Sequence, residues 1–271
     1  ASILMGIQYG AKDYKTLRKL YANSIWLSAI FAVIMTILTV AFCRPILTLM
    51  RTPENIFEYS YQYIVIICIG IPATYLFNLT SGMIRALGNS RAPLIVLIVS
   101  SVLNVVLDLV FILNFHMGVT GAAAATVLSQ VISGIACVIY IRKKVDMLQL
   151  SRDEWKMEKR EMLELFNAGV PMGLQYSITA IGSVILQSAV NTLGSNAVAS
   201  VTAASKISMF IVCPFDSMGA TMATYGGQNA GGYKLDRLHK GLRSCILLGA
   251  VYSVIGLLII VAFGPHLLKL F

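Results

Sequence analysis

Three polar side chains stand in apolar sequence at spacings that could hold an ion. Asn104 and Asp108 lie four residues apart within the apolar stretch 93–113. On an α-helix four residues make about one turn, roughly 6 Å of rise, so the amide and the carboxyl share a face. Thr126 lies about seven residues into the next apolar stretch, 119–141. If the two stretches run antiparallel through a membrane, its hydroxyl falls near the depth of Asp108. A carboxylate, an amide and a hydroxyl converging there offer the oxygen ligands that a proton or Na+ takes. The same groups could instead bond neighbouring helices, as polar residues do in membrane bundles. Lys206 and Asp216 are the other ionisable residues in apolar sequence. Ten positions apart, they are separated by about 15 Å of helix and cannot pair directly. Both are candidate cavity-lining residues, as is Gln175.

Other chemistry finds no support. The sequence has no His-Glu-x-x-His, no Gly-x-Ser-x-Gly and no phosphate-binding Gly-rich loop ending in Lys-Ser/Thr. Its three histidines, His116, His239 and His266, fall at span ends or in loops. The five cysteines lack metal-ligand spacing and read as packing residues. An enzyme is therefore not expected, nor a cofactor, nor a metal beyond Na+ at Asp108.

The elements that must position these residues are membrane helices. The chain is 57% hydrophobic and 12% charged, half the charge of an ordinary soluble domain. Residues 20–43, 59–84 and 244–268 contain no Lys, Arg, Asp or Glu, and each exceeds the roughly 20 residues that span hydrocarbon. Segments 92–140 and 165–223 each read as two spans, broken near 114–121 and 191–196. Seven spans result, near 20–43, 59–84, 93–113, 119–141, 167–190, 197–222 and 244–264. Uniform apolarity, without alternation in a period of two, excludes barrel strands. The fold expected is an all-α integral membrane protein. Pro72 in the second span and Pro171 near the start of the fifth mark places where a helix could bend.

A net charge of +9 could point to nucleic acid, but the charges follow the membrane instead. With alternating spans, one side takes Lys12, Lys15, Arg18, Lys19, Arg85, Arg91, Arg142, Lys143, Lys144, Arg152, Lys156, Lys159, Arg160, Lys234, Arg237, Lys240 and Arg243. The other takes Arg44, Arg51 and Lys269, and Lys206 lies within a span. The positive-inside rule puts the first group in the cytoplasm, with the chain multi-pass in the cell membrane. Between the fourth and fifth spans the charged segment 142–164 reads as a solvated cytoplasmic linker. Its Ser151-Arg-Asp-Glu154 is a capping-box pattern, expected to open a short surface helix leading into the fifth span.

A long-period repeat sets the larger plan. Gly6-Ile7-Gln8 aligns with Gly226-Gly227-Gln228 at an offset of 220. After a one-residue slip, Leu17, Lys19, Val40, Ala41, Phe42, Leu47 and Leu49 match Leu238, Lys240, Val261, Ala262, Phe263, Leu268 and Leu270. Six spans separate a position from its repeat, which preserves orientation, so the halves are parallel repeats. The full protein is expected to hold two six-helix bundles, with two helices before residue 1 and three after Phe271. The lobes expected are 1–141 and 165–271, both incomplete, joined by 142–164.

At this point the sequence resembles the multidrug and toxic compound extrusion (MATE) family. The resemblance is carried by Gly82-Met-Ile-Arg85-Ala-Leu-Gly88-Asn-Ser-Arg-Ala-Pro93, by Leu103-Asn104-Val-Val-Leu107-Asp108 and by Gly118-Val-Thr-Gly121-Ala-Ala-Ala-Ala-Thr126-Val-Leu-Ser-Gln130. Gly169-Val-Pro171 and Gly227-Gln228-Asn229-Ala-Gly231 also fit. It implies export of small organic, cationic and amphipathic compounds in exchange for H+ or Na+, by a V-shaped pair of lobes working as a monomer in the bilayer. It also implies that Asn104, Asp108 and Thr126 occupy cation-site positions, with Asn78 a further candidate and a first-helix aspartate lying outside this chain. Gln175 stands where some members carry an acidic residue, a departure that bears on any cation site in the second lobe. A flippase for a lipid-linked or polysaccharide precursor shares the two-lobe plan, and Lys206 is the feature that points that way.

Overall fold

The apolar stretches fold as helices because in hydrocarbon each segment must satisfy its own backbone N–H and C=O groups. A computed structural model describes residues 1–49 and 54–268, leaving aside the side chains of residues 195, 196 and 265–268. Arg51, Lys269 and Leu270, and the side chains of His266 and Leu268, lie outside what is described. The described helices are α1 (Ser2–Gly10), α2 (Tyr14–Leu49), α3 (Glu54–Ile69), α4 (Ile71–Ala86), α5 (Arg91–Leu109), α6 (Gly118–Lys144), α7 (Lys159–Asn191), α8 (Ser195–Gly231) and α9 (Leu235–Leu268).

Among the described residues six helices are long and apolar enough to cross a membrane, and seven spans result if α3 and α4, bent by 42° at their junction, are one. That is the span count read from the sequence, with longer helices: polar flanks such as Tyr14–Lys19 continue the helix past the apolar core. The bend falls at Gly70, just ahead of Pro72 in the first turn of α4. Proline has no N–H to give the preceding turn, and the Gly70 backbone packs against Val127 of α6 at the same place. Pro171 and Pro214 lie inside α7 and α8, which run on through them.

The chain divides into two compact units, Ala1–Tyr9 with Asp13–Leu165, and Gly10–Lys12 with Phe166–Phe271. In the first, α6 is the hub, packing against α3, α4 and α5, while α2 packs on α3 and α4. Small residues make this possible, because a bundle in lipid gains from close backbone approach. The buried positions of α6 include Gly121, Ala123, Ala125, Ser129, Ser133 and Gly134. A Cβ on Gly134 would lie 3.0 Å from Leu76 of α4. The apolar core of this unit, with Leu17, Leu20, Met83, Ile84, Cys137 and Ile141, gathers at the end that carries Leu148 of the linker and Leu165 of α7. In the second unit α8 packs on α9, and Phe215 meets Tyr252 edge-on at 5.3 Å. On α7 and α9, Ile178, Ile185, Leu247 and Leu258 are exposed.

The linker is tied to α2 at its partly exposed surface: Glu154 pairs with Arg18 at 2.7 Å and Glu158 with Lys19 at 2.8 Å, both partners on α2. The capping box at Ser151 and Glu154 is present, but it opens a single 3-10 turn, Arg152–Trp155, separate from α7. The linker carboxylates find fixed cations near the start of α2.

The repeat is written into the backbone. Lys12 has φ 60° and Tyr233, 221 residues later, has φ 55°. The Asp13 N–H donates to Gln8 O at 3.0 Å, and Lys234 N–H to Asn229 O at 2.8 Å, again 221 residues on. Both are the six-to-one closing bond that ends a helix over a left-handed residue. Matching side chains and matching helix ends at one offset are not expected of two unrelated apolar helices.

Candidate ion-binding site

Helices α5 and α6 pack along one another, joined by a tight turn. A π-turn, Val110–Asn114, ends α5, and the chain reverses through His116 (φ 51°) and Gly118 (φ 57°). Helix α6 then runs back along α5. Two contacts frame their register. At the outer end a Cβ on Gly121 would stand 3.0 Å from the Phe111 Cβ, so the backbones approach as only a glycine permits. Deeper in, the Ser100 hydroxyl donates to the Ser129 carbonyl at 3.1 Å, and Ser133 Oγ sits 2.5 Å from Ser100 Oγ and 2.6 Å from the same carbonyl.

Within that frame, about 1.5 Å of rise per residue puts Asn104 one turn outward of Ser100 and Asp108 two turns outward. Thr126, three residues outward of Ser129, falls close to the level of Asn104. All three are half-buried. The Thr126 hydroxyl donates to the Ala122 carbonyl at 3.0 Å, which leaves its oxygen lone pairs to accept.

What marks the place is unmet bonding. Asp108 Oδ1 and Asn104 Nδ2 are buried without a hydrogen-bond partner, and so are Gln130 Oε1 and Ser129 Oγ on α6. A buried polar group left unpaired costs on the order of 1–3 kcal/mol, so four along one helix pair call for an explanation. An oxygen-seeking cation would meet three of them, because the Asp108 carboxylate, the Gln130 amide oxygen and the Ser129 hydroxyl are hard donors, whereas Asn104 Nδ2 is an N–H donor that calls for an acceptor.

The other candidates stand apart from this set. Asn78 is exposed on α4. Gln175 on α7 is exposed, and its carbonyl accepts the Thr179 hydroxyl at 2.9 Å. Lys206 and Asp216 are exposed on α8. Gln130 was not singled out from sequence, although it lies one turn beyond Thr126 on the same face, and that spacing was its signal.

Known proteins share the plan. The family model described as MatE matches residues 1–110 and 171–271. The chain is 30% identical over 278 residues to the probable multidrug resistance protein YoeA of Bacillus subtilis, covering 100% of this chain and 60% of that protein. Against the multidrug export protein MepA of Staphylococcus haemolyticus it is 28% identical over 191 residues, 70% of this chain and 42% of that protein. Among solved structures, the outward-facing conformation of a multidrug resistance MATE family transporter of the MOP superfamily superposes with a TM-score of 0.92. That match covers 100% of this chain and 60% of the other at 24% identity, a likeness of fold. The chain thus spans about 60% of the length of such relatives. Seven apolar spans, a parallel repeat carried into the backbone and a family model matched over most of the chain lead to one conclusion: this is a multi-pass membrane protein of the MatE family, a family of transporters and not of enzymes.

Proposed function

We propose that the full protein is a secondary exporter of small organic, cationic and amphipathic compounds, driven by inward movement of H+ or Na+. In this reading Asp108 is the coupling group, Asn104 and Thr126 complete its oxygen shell, and Asn78 joins them when the lobe rearranges. Residues 1–141 and 165–271 are then parts of the two lobes, with Gln175, Lys206 and Asp216 lining the second lobe's side of the substrate path. The observation that carries the reading is the unpartnered Asp108 carboxylate oxygen beside an unpartnered Asn104 amide. An ionisable group inside a membrane is costly to keep and defaults to a role in ion movement. The relatives' printed names, a multidrug resistance protein and a multidrug export protein, support the substrate class.

The test uses the full-length parent in inverted vesicles loaded by a pH or a Na+ gradient, with a fluorescent lipophilic cation as substrate. Gradient-driven transport in wild type, lost in Asp108→Asn at equal protein level, is the expected result. Normal transport by Asp108→Asn would make the carboxyl structural. No cation movement by wild type under any gradient would shift the substrate to lipid-linked precursors.

A further inference from the structure

The linker carries a feature that neither ion coupling nor substrate passage uses: its docking on α2 sorts charges by sign. Residues 152–160 are nearly balanced in sequence, with four cations and three acids. Two of the acids turn inward. Glu154 and Glu158 are taken up by Arg18 and Lys19 at 2.7 and 2.8 Å, and the Glu158 backbone N–H donates to the Asn23 side chain at 2.9 Å. The bases stay outside. Arg152, Lys156, Lys159 and Arg160 are exposed, and among the described residues none of them has a carboxylate within ion-pair distance. Asp153 is the acid left exposed beside them. The docked segment thus presents four cations against one carboxylate.

Apolar surface stands among these cations. Trp155 is 39% exposed and Met157 50%, and the Trp26 ring beneath them is 37% exposed. Trp26 follows Lys19 by seven residues, about 10 Å along α2, and no further charge comes until Arg44. A span passes there from headgroups to hydrocarbon, and tryptophans collect at that level. The Trp26 indole N–H donates to the Trp155 carbonyl at 3.0 Å, which fixes the linker at the same depth. The unpaired cations, one to five residues from Trp155, are therefore held where lipid phosphates lie. A soluble polyanion would use the cations and leave the exposed rings and Met157 without a partner, whereas a lipid uses both.

We propose that Arg152, Lys156, Lys159 and Arg160, with Trp155, form a face that binds anionic phospholipid of the cytoplasmic leaflet. The cations hold lipid phosphates and Trp155 rests on the upper acyl chains. Basic segments beside a span are drawn to anionic headgroups by the negative potential of that leaflet. Lipid bound in this way gives the segment leading into α7 a second hold besides α2. It does not depend on the ion coupling given to Asp108.

Tryptophan quenching in lipid nanodiscs tests this. The full-length parent is placed in phosphatidylcholine discs with one lipid in five replaced by brominated phosphatidylglycerol or by brominated phosphatidylcholine. The Trp155 signal is the difference between wild type and Trp155→Phe. Brominated phosphatidylglycerol is expected to quench it about twofold more than brominated phosphatidylcholine at low salt, with the difference shrinking in molar salt. In a variant with Arg152, Lys156, Lys159 and Arg160 all changed to Gln, the two lipids should quench alike. Equal quenching in wild type overturns the proposal and assigns the face to a soluble acidic partner; that comparison decides even if the Gln variant does not fold. An undiminished preference in the Gln variant also overturns it, because other cations would then draw the lipid.

Discussion

Trp155 of the linker meets Trp26 of α2 edge-on, with ring centroids 6.5 Å apart and planes at 87°, and its carbonyl accepts the Trp26 indole N–H at 3.0 Å. One turn away, the buried Asn23 accepts the Glu158 backbone N–H at 2.9 Å through its side-chain oxygen, and its amide donates to the Lys19 carbonyl. With the ion pairs of Arg18 and Lys19, four neighbouring positions on α2 hold the segment that leads into α7. An edge-to-face aromatic pair adds about 0.5–1.5 kcal/mol beyond its buried area. Trp155→Ala should therefore open the linker to limited proteolysis between 150 and 160 severalfold faster than wild type, with the spans left intact.

Acid should release the same segment. Backbone N–H donation from Ser151, aided by Arg18, holds the Glu154 carboxyl below its ordinary 4.5, and the Lys19 ammonium does the same for Glu158. A carboxyl whose value is lower when docked stabilises docking above the free value and loses that contribution as the pH falls through the docked one. Proteolysis of the linker should stay flat from pH 8 to about pH 5 and rise below 4.5. Glu154→Gln should show the raised rate at neutral pH. A rate that is flat through pH 4 would mean that the carboxylates do not hold the linker.

The close approach of α5 and α6 makes a second demand. Gly121→Val would force atoms into the space held by Phe111, where even a Cβ stands 3.0 Å from the Phe111 Cβ and 3.3 Å from its carbonyl carbon. Overpacking of this kind costs about 1–3 kcal/mol. The variant should lower thermal stability in detergent, and because it spreads the helices at the level of Asp108 it should weaken ion binding as well. Gly118→Ala should also destabilise, for a different reason: it has open space around it but a φ of 57° that an L side chain resists.

The grouping of Asn104, Asp108 and Thr126 proposed above can be drawn from the sequence because polarity inside a span and a spacing of one turn are local properties. Gln130 obeys the same rule, but a lone amide in a helix is too common for the rule to select it. The Ser100–Ser129–Ser133 contact was not legible at all. It depends on the register of α5 against α6, set by the turn at His116 and Gly118 and by the Phe111–Gly121 approach, none of which shows in either helix's periodicity. The linker divides the same way: the capping box at Ser151 is a four-residue pattern, whereas the partner of Glu154 is Arg18, 136 positions away. The span count survived because it rests on length and apolarity alone.

The serine contact can be tested in its own right. Ser133→Ala removes a hydroxyl that bridges Ser100 Oγ and the Ser129 carbonyl, while Ser100 keeps its own bond to that carbonyl. Hydrogen bonds between membrane helices average about 0.6 kcal/mol, so each single alanine variant should lower stability by about that much. The Ser100→Ala, Ser133→Ala double variant should fall short of the sum, because the two share one bond. A sum that is strictly additive would show that the pair does not interact.

The bent span offers a geometric test. Each arm, α3 and α4, is 16 residues long, about 24 Å, so straightening a 42° bend would lengthen the end-to-end distance by about 3 Å. Pro72→Ala restores the missing N–H and removes the ring that blocks a continuous helix. Spin labels at Ile56 and Arg85, both exposed, would report that distance. Gly70 opposes straightening, because its backbone lies against the Val127 side chain of α6 and has no room for a Cβ. A distance that grows in Pro72→Ala would make the proline the cause of the bend. An unchanged distance would move the cause to the packing of Gly70 on Val127, and Val127→Ala with Pro72→Ala should then release it.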